Sequence, residues 1–265
     1  MKKAEKKDFD KLMDFLKKDI PNCLYIYADL VSLGIGYPNL TFWIQEKDEK
    51  IISVIMQYYN SFQLYGDLGE EEYKWIAEAV DSDSIDRISG EITDIENLKE
   101  YLPPDFSDHY GVIFSFDRST DVEYKNIVTE AGAEDVDGIA ELIMTDKNLS
   151  GSYTEEELKN QLSDRIINNK GRSFIIKSDG KIIGHICFLI ETDLFAISGW
   201  AIVHPEHRDV KSALRLQHAV YELTKNDNKD HYFFIDQPRR AKMFEATGNK
   251  VVAKYGKLVK ETGGK

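Results

Sequence analysis

Apolar positions along this chain recur at two spacings, one helical and one alternating. Phe9, Leu12, Met13 and Leu16 stand three or four residues apart, as do Val136, Ile139, Ala140 and Ile143. Each set predicts a helix with one buried face. Residues 154–168 predict another, because Thr154 followed three residues on by Glu157 is a capping-box arrangement. Further on, Ala213, Leu216, Val220 and Leu223 place a fourth apolar face on a helix over 210–224. Between these lie short β-branched and aromatic runs. Residues 43–52 and 174–183 both read as strand, tight turn, strand, and 194–203 reads as a further strand stopped by Pro205.

The two hairpins are related. At a constant offset of 131, an aromatic residue (Trp43, Phe174), Ile44 and Ile175, Asp48 and Asp179, Lys50 and Lys181, Ile51 and Ile182, and Ile52 and Ile183 keep their type. Asp179-Gly180 is a strong two-residue turn signal, since glycine takes positive φ without steric cost; Asp48-Glu49 is a weaker one. A helix precedes each hairpin. The pattern predicts an α/β (α+β) protein of two related units, residues 1–120 and 121–265. Each is a mixed, largely antiparallel sheet flanked by helices, and the polar stretch 117–125 forms the join.

Composition narrows the class. Of 265 residues, 42% are apolar and 11% aromatic, enough for a substantial core. The formal charge of −13 argues against broad nucleic-acid or anionic-membrane binding. No apolar run is long enough to span a bilayer, and residues 1–10 are charged with no apolar stretch behind them, so no secretory leader is expected. Cys23 and Cys187 cannot form a disulfide framework. These features predict a cytoplasmic protein with reduced thiols.

The charge is uneven. Residues 1–120 carry 13 basic and 24 acidic side chains, whereas 121–265 carry 21 and 23. Bases gather in the second part at Arg208, Lys211 and Arg215, then Arg239, Arg240 and Lys242. Strand 194–203, a short basic loop and the start of helix 210–224 follow one another directly. Unpaired N–H groups of a first helical turn, beside Arg208 and Lys211, are suited to an anion. The matching place in the first unit precedes a helix over 71–80 and carries Glu70, Glu71 and Glu72, which would repel a phosphate. Only the second unit is therefore expected to bind an anionic cofactor.

These residues resemble the cofactor-binding half of the general N-acetyltransferase (GNAT) superfamily over 198–259. Arg208-Asp209-Val210-Lys211-Ser212-Ala213 is similar to the family's Gln/Arg-x-x-Gly-x-Gly/Ala loop, matching at Arg208 and Ala213 and departing at Lys211. Gln237 stands at the family's Asn, Phe244 at its Tyr and Gly248-Asn249 at its Gly-Phe. The resemblance implies a tandem member with a degenerate first unit. It implies acetyl-CoA as co-substrate, with its pantetheine arm along Ala201, Ile202 and Val203. The pyrophosphate would rest on the amides of Asp209, Val210, Lys211, Ser212 and Ala213 near Arg208, with Gln237 beside the cofactor. The acceptor would be the amine of a small molecule, attacking directly, and the acidic first unit would favour a cationic one.

The catalytic groups are not legible. Phe244 cannot protonate a thiolate, and Ile197 stands where some relatives carry a glutamate base. Tyr255 on the last strand is a candidate acid. Glu191, Asp193 and Asp236 are strand-end acids that read better as solvated. His185 and Cys187 share a strand face but lack a third ligand, so they read as core. His204 and His207 read as loop residues, and Tyr58, Tyr59, Phe62 and Tyr65 as an aromatic stripe. Three functions remain open: an N-acetyltransferase, a non-catalytic acyl-CoA-binding or sensing protein, and an interaction protein that has lost the cofactor.

Overall fold

A computed structural model describes residues 1–82, 85–116, 122–150, 153–168, 170–246 and 248–261. In chain order the first elements are β1 (Lys2–Lys3), α1 (Phe9–Leu16), α2 (Ile20–Leu33), β2 (Leu40–Lys47), β3 (Lys50–Tyr58), β4 (Ser61–Gly66), α3 (Glu70–Ser82), β5 (Arg87–Glu91), α4 (Ile92–Lys99) and β6 (Phe106–Ser115). There follow β7 (Val128–Glu130), α5 (Val136–Met144), α6 (Lys147–Ser150), α7 (Glu155–Ile167), β8 (Ser173–Ser178), β9 (Lys181–Glu191), β10 (Phe195–Val203), α8 (Val210–Asn226), β11 (Asp230–Ile235), α9 (Pro238–Ala246) and β12 (Lys250–Lys260). The α/β expectation holds, with mixed and mostly antiparallel pairing.

The chain divides into two compact units, one of Met1–Phe114 with Ile235–Lys265, the other Ser115–Phe234. This differs from the expected division at 120. Residues 235–265 group with the first unit because β12 pairs antiparallel with β5, from Tyr255 opposite Glu91 to Val259 opposite Arg87. Leu258, fully buried, lies in the same core cluster as Phe62, Ile76 and Ile88. The expected join at 117–125 falls partly outside the described residues, which resume at 122.

In the first unit the strand order is β1-β2-β3-β4-β5-β12-β6. In the second it is β11-β10-β9-β8-β7. Alternation along β8 explains the layering of the second unit. Ile175 faces a core with α5 and α7, through Ile139, Ile143, Leu158 and Leu162. Phe174 and Ile176 face the opposite core with α8, through Leu216 and Val220. Thr154 caps α7 as expected, its hydroxyl accepting from the Glu157 N–H at 3.2 Å.

The hairpin repeat is structural. Lys47 pairs with Lys50 and Ser178 with Lys181 across turns whose two residues all have positive φ: Asp48 49°, Glu49 64°, Asp179 49° and Gly180 79°. Both hairpins also carry a bulge at the same place, after Gln45 in one and after Ile176 in the other. Ahead of each, a single 3-10 turn ends in a buried aspartate that accepts a backbone N–H three residues back. Asp8 takes that of Glu5 at 2.9 Å and Asp135 that of Gly132 at 3.0 Å.

Candidate functional site

In the second unit, β10 is paired along one edge with β9, but on its other edge only from Phe195 opposite Asp230 to Ser198 opposite Phe233. Past Ser198 the register with parallel β11 stops, and among the described residues 199–203 have no partner strand on that side. The parting is prepared on β10 itself. Its register with β9 shifts between Ile197 and Ser198 and again between Gly199 and Ile202, where Trp200 adopts φ 49°. An indole-bearing residue at positive φ is strained and must be held.

His185 is what holds it. Its Nδ1 lies 3.0 Å from the Trp200 carbonyl, which can only accept, so Nδ1 carries the proton and Nε2 receives the Ser173 hydroxyl at 3.3 Å. Burial pushes the His185 pKa down to about 4, with Arg165 adding to the effect, so the ring is neutral. Cys187 Sγ donates to the Gly199 carbonyl at 3.5 Å. Burial raises that thiol to about 12. The His185–Cys187 pair is thus the buttress of a bulge, and no cluster of metal-ligating side chains occurs among the described residues. This role was not read from the sequence, where only their shared face was visible.

Ala201 is exposed, while Ile202 and Val203 are buried on opposite faces, so the strand offers backbone and little side chain. A 3-10 turn over Pro205–His207 follows, and Arg208 is exposed. Helix α8 begins at Val210 with Asp209 as its N-cap. The Asp209 carboxylate accepts the Ser212 N–H at 2.6 Å and the Ser212 hydroxyl at 3.1 Å. These bonds, the Ser212 amide first, hold the carboxyl below its usual range, and the Lys211 amide contributes as well. Of the expected phosphate cradle over Asp209, Val210, Lys211, Ser212 and Ala213, the Ser212 N–H, with the Lys211 N–H contributing, is therefore taken by the chain's own Asp209 carboxylate. Asp209 stood inside the motif, and its capping chemistry was readable from its place before the helix. Lys211 and Ala213 are exposed, and Ser212 is buried.

The remaining site expectations fall elsewhere. Gln237 is exposed and lies in the first unit, where its carbonyl accepts the Ala241 N–H as α9 begins. Phe244 is buried in that unit, its ring 5.9 Å from that of Phe114. Ile197 is buried in the core of the second. Tyr255 also belongs to the first unit, where its hydroxyl donates to Gln63 Oε1 at 3.0 Å. Desolvation, then the neighbouring Tyr25, raises its pKa. A proton so held is a poor one to donate, which weighs against Tyr255 as the acid. Arg172, Lys229 and Glu191 form a buried-edge ion cluster at 2.7 and 2.9 Å, so Glu191 is a structural anion. His204 Nδ1 accepts the Glu206 N–H at 3.3 Å, in keeping with a loop role.

The first unit repeats the parting of strands but fills it. Parallel β4 and β5 are in register only from Ser61 opposite Arg87 to Gln63 opposite Ser89. Beyond, a cavity of about 10 Å³, room for one water, is lined by Pro21, Cys23, Tyr25, Leu64, Gly90 and Tyr255 among others. A Cβ on Gly90 would stand 3.0 Å from the Leu64 carbonyl, so the strands remain close. Helix α3 starts with Glu70, Glu71 and Glu72, and Glu72 accepts the Gly69 N–H at 3.0 Å.

The fold is similar to that of solved GNAT acetyltransferases. A GNAT-family acetyltransferase from Colwellia psychrerythraea superposes with a TM-score of 0.61 at 12% identity, covering 98% of this chain and 99% of that one. A tandem GNAT protein from the clavulanic acid biosynthesis pathway, solved without acetyl-CoA, gives 0.57 at 12% identity over 100% and 98%. A GCN5-related N-acetyltransferase from Sphaerobacter thermophilus gives 0.60 at 14% identity over 97% and 93%. No protein-family model and no curated protein sequence matches the chain. Likeness at this identity establishes the fold. Among the described residues no helix is long and apolar enough to cross a membrane.

Proposed function

We propose that the second unit binds an acyl-CoA thioester, acetyl-CoA above all, and that the protein moves the acyl group to the amine of a small cationic molecule. The observation that carries this reading is the unpaired edge of β10 over residues 199–203, running into the start of α8. An extended pantetheine arm is a strand-like partner for such an edge, through its amides. The thioester supplies the activated acyl group. Arg208 and Lys211 supply charge for the phosphates. The β10 edge fits the group as it stands. At the first turn of α8 the Asp209 carboxylate competes with a phosphate for the Ser212 and Lys211 amides, so the cap weakens binding there as long as it is made.

The test is calorimetry of CoA with the full chain and with Asp209→Ala. Removing the carboxylate frees two amides and one negative charge, so affinity for CoA should rise several-fold. The lost cap should lower stability by about 1 kcal/mol. Opposite signs on affinity and stability separate the effects. Absence of CoA binding in both folded proteins overturns the reading. A second reading, a non-catalytic acyl-CoA-binding protein, is favoured by the buried apolar Phe244 and Ile197 at the family's acid and base positions. CoA binding without acetyl-CoA consumption across a panel of amines would select it.

A further inference from the structure

Ser198 stands on the last paired rung of β10 and β11, opposite Phe233, and the opening along residues 199–203 begins directly after it. One residue pair further back along that face, His231 lies opposite Ala196. The His231 Nε2 is 2.8 Å from Ser198 Oγ. Both side chains are buried, Ser198 at 7% exposure and His231 at 4%. The imidazole is packed among rings: Phe116 and Phe188 stand edge to face with it, their centroids at 5.5 and 6.1 Å.

This packing decides where the imidazole carries its proton. Burial holds His231 neutral, so one ring nitrogen is protonated and the other bare. Nδ1 is buried and has no hydrogen-bond partner among the described residues. A proton on Nδ1 would be a donor sealed among phenyl rings, and orphaned buried N–H groups are rarer than orphaned acceptors. The proton therefore belongs on Nε2, which donates to Ser198 Oγ. His185 carries its proton on the other nitrogen, because the Trp200 carbonyl demands it there. With its oxygen accepting from His231, Ser198 keeps its own O–H to give, and it makes no other hydrogen bond among the described residues.

Ser198 shares a face of β10 with Ala196, which packs with Leu216 and Val220 of α8. A ligand whose phosphates rest at the start of α8 thus reaches the opening from the face that bears Ser198. Its far end meets the closed end of the fork. In the first unit the last rung of the matching fork, Gln63 opposite Ser89, is taken by the chain itself, since Gln63 Oε1 accepts the Tyr255 hydroxyl at 3.0 Å. We propose that the Ser198 hydroxyl, its oxygen held by His231, donates a hydrogen bond to the thioester end of an acyl-CoA lying along β10. Ser198 is the contact residue and His231 a positioning residue. The inference rests on the acyl-CoA reading of this same site, and supplies a donor that Phe244 cannot. Its role is to stabilise charge on the thioester as the amine attacks, with no proton transferred from Ser198.

Calorimetry of the full chain with acetyl-CoA and with desulfo-CoA, which lacks both sulfur and acyl group, tests it. Ser198→Ala should weaken acetyl-CoA binding about fivefold and leave desulfo-CoA within about twofold. His231→Phe should reproduce that selective loss. His231→Gln, whose amide N–H still donates to Ser198, should keep the parental preference, and a loss equal to that of His231→Phe overturns the positioning role. If neither ligand binds the folded parent, the acyl-CoA reading fails and this proposal with it. If both bind and Ser198→Ala shifts them equally or not at all, the site stands and the role of Ser198 is overturned. The proton assignment is read on the unsubstituted chain, independently of how the variants fold. Long-range proton–nitrogen NMR spectra should show His231 protonated at Nε2 and bare at Nδ1, and the opposite tautomer overturns the proposal.

Discussion

Buried ionisable residues make opposite demands on pH. His185 and His231 are buried with pKa values pushed down to about 4 and about 3. An unfolded histidine takes up its proton near 6.5, so between there and the folded values the unfolded chain binds more protons. Stability is therefore lost as pH falls below about 6.5. Asp29 and Asp94 are raised to about 6 from near 3.8. In that window the folded chain binds more protons, and their contribution weakens stability as pH rises from about 4 to about 6. The expected outcome is that Asp29→Asn raises the melting temperature at pH 7.5, by about 1 kcal/mol in stability, and changes it little at pH 4. His185→Gln should flatten the loss between pH 6.5 and 4.5, while costing stability at pH 7.5 through the unsupported Trp200 carbonyl. Thermal melts across that range measure both. Of these residues the sequence marked only His185, as core. Its hold on a bulge at Trp200 depends on a register shift that no spacing reveals.

At the level of elements, legibility followed turn and cap chemistry. The hairpins at residues 43–52 and 174–183 were readable because β-branched runs flank two-residue turns, and α7 because Thr154 and Glu157 mark its start. Helix α2 was not, because its sequence Ile-Pro-Asn-Cys-Leu-Tyr-Ile-Tyr-Ala-Asp-Leu-Val-Ser-Leu is apolar on most sides and has no 3.6 period. Its core residues include Leu24, Ile26, Tyr27, Ala28 and Leu30, and a kink at Cys23 breaks the face. Helix α4 and strand β5 were missed because they are short, eight and five residues. The two repeated turns give a matched pair of tests. Glu49 holds φ 64° with a side chain, whereas Gly180 holds 79° without one. Glu49→Gly should stabilise the protein and Gly180→Ala destabilise it, each by about 1 kcal/mol. Denaturant midpoints at constant slope would show this, and equal effects of the same sign would contradict a shared turn type.

Over the whole chain, the order of elements was visible but ownership of the C-terminus was not. A repeat at offset 131 naturally assigns everything after the join to the second unit. Strand β12 instead pairs with β5, about 170 residues earlier, and that choice rests on long-range pairing rather than local pattern. Its apolar positions serve the first unit: Leu258 is fully buried beside Ile88, and a Cβ on Gly256 would stand 2.9 Å from Ile95. Cutting the chain after Phe234 should therefore damage the unit that is distant in sequence and leave Ser115–Phe234 complete. Hydrogen exchange is the measurement. In the truncated chain the amides of β5 and α4 should lose protection, while those of β8 and β9 keep theirs. A synthetic peptide spanning 235–261, added in trans, should restore the first set. Loss confined to β8–β10 would instead return the C-terminal segment to the second unit, in line with the sequence repeat and against the strand pairing.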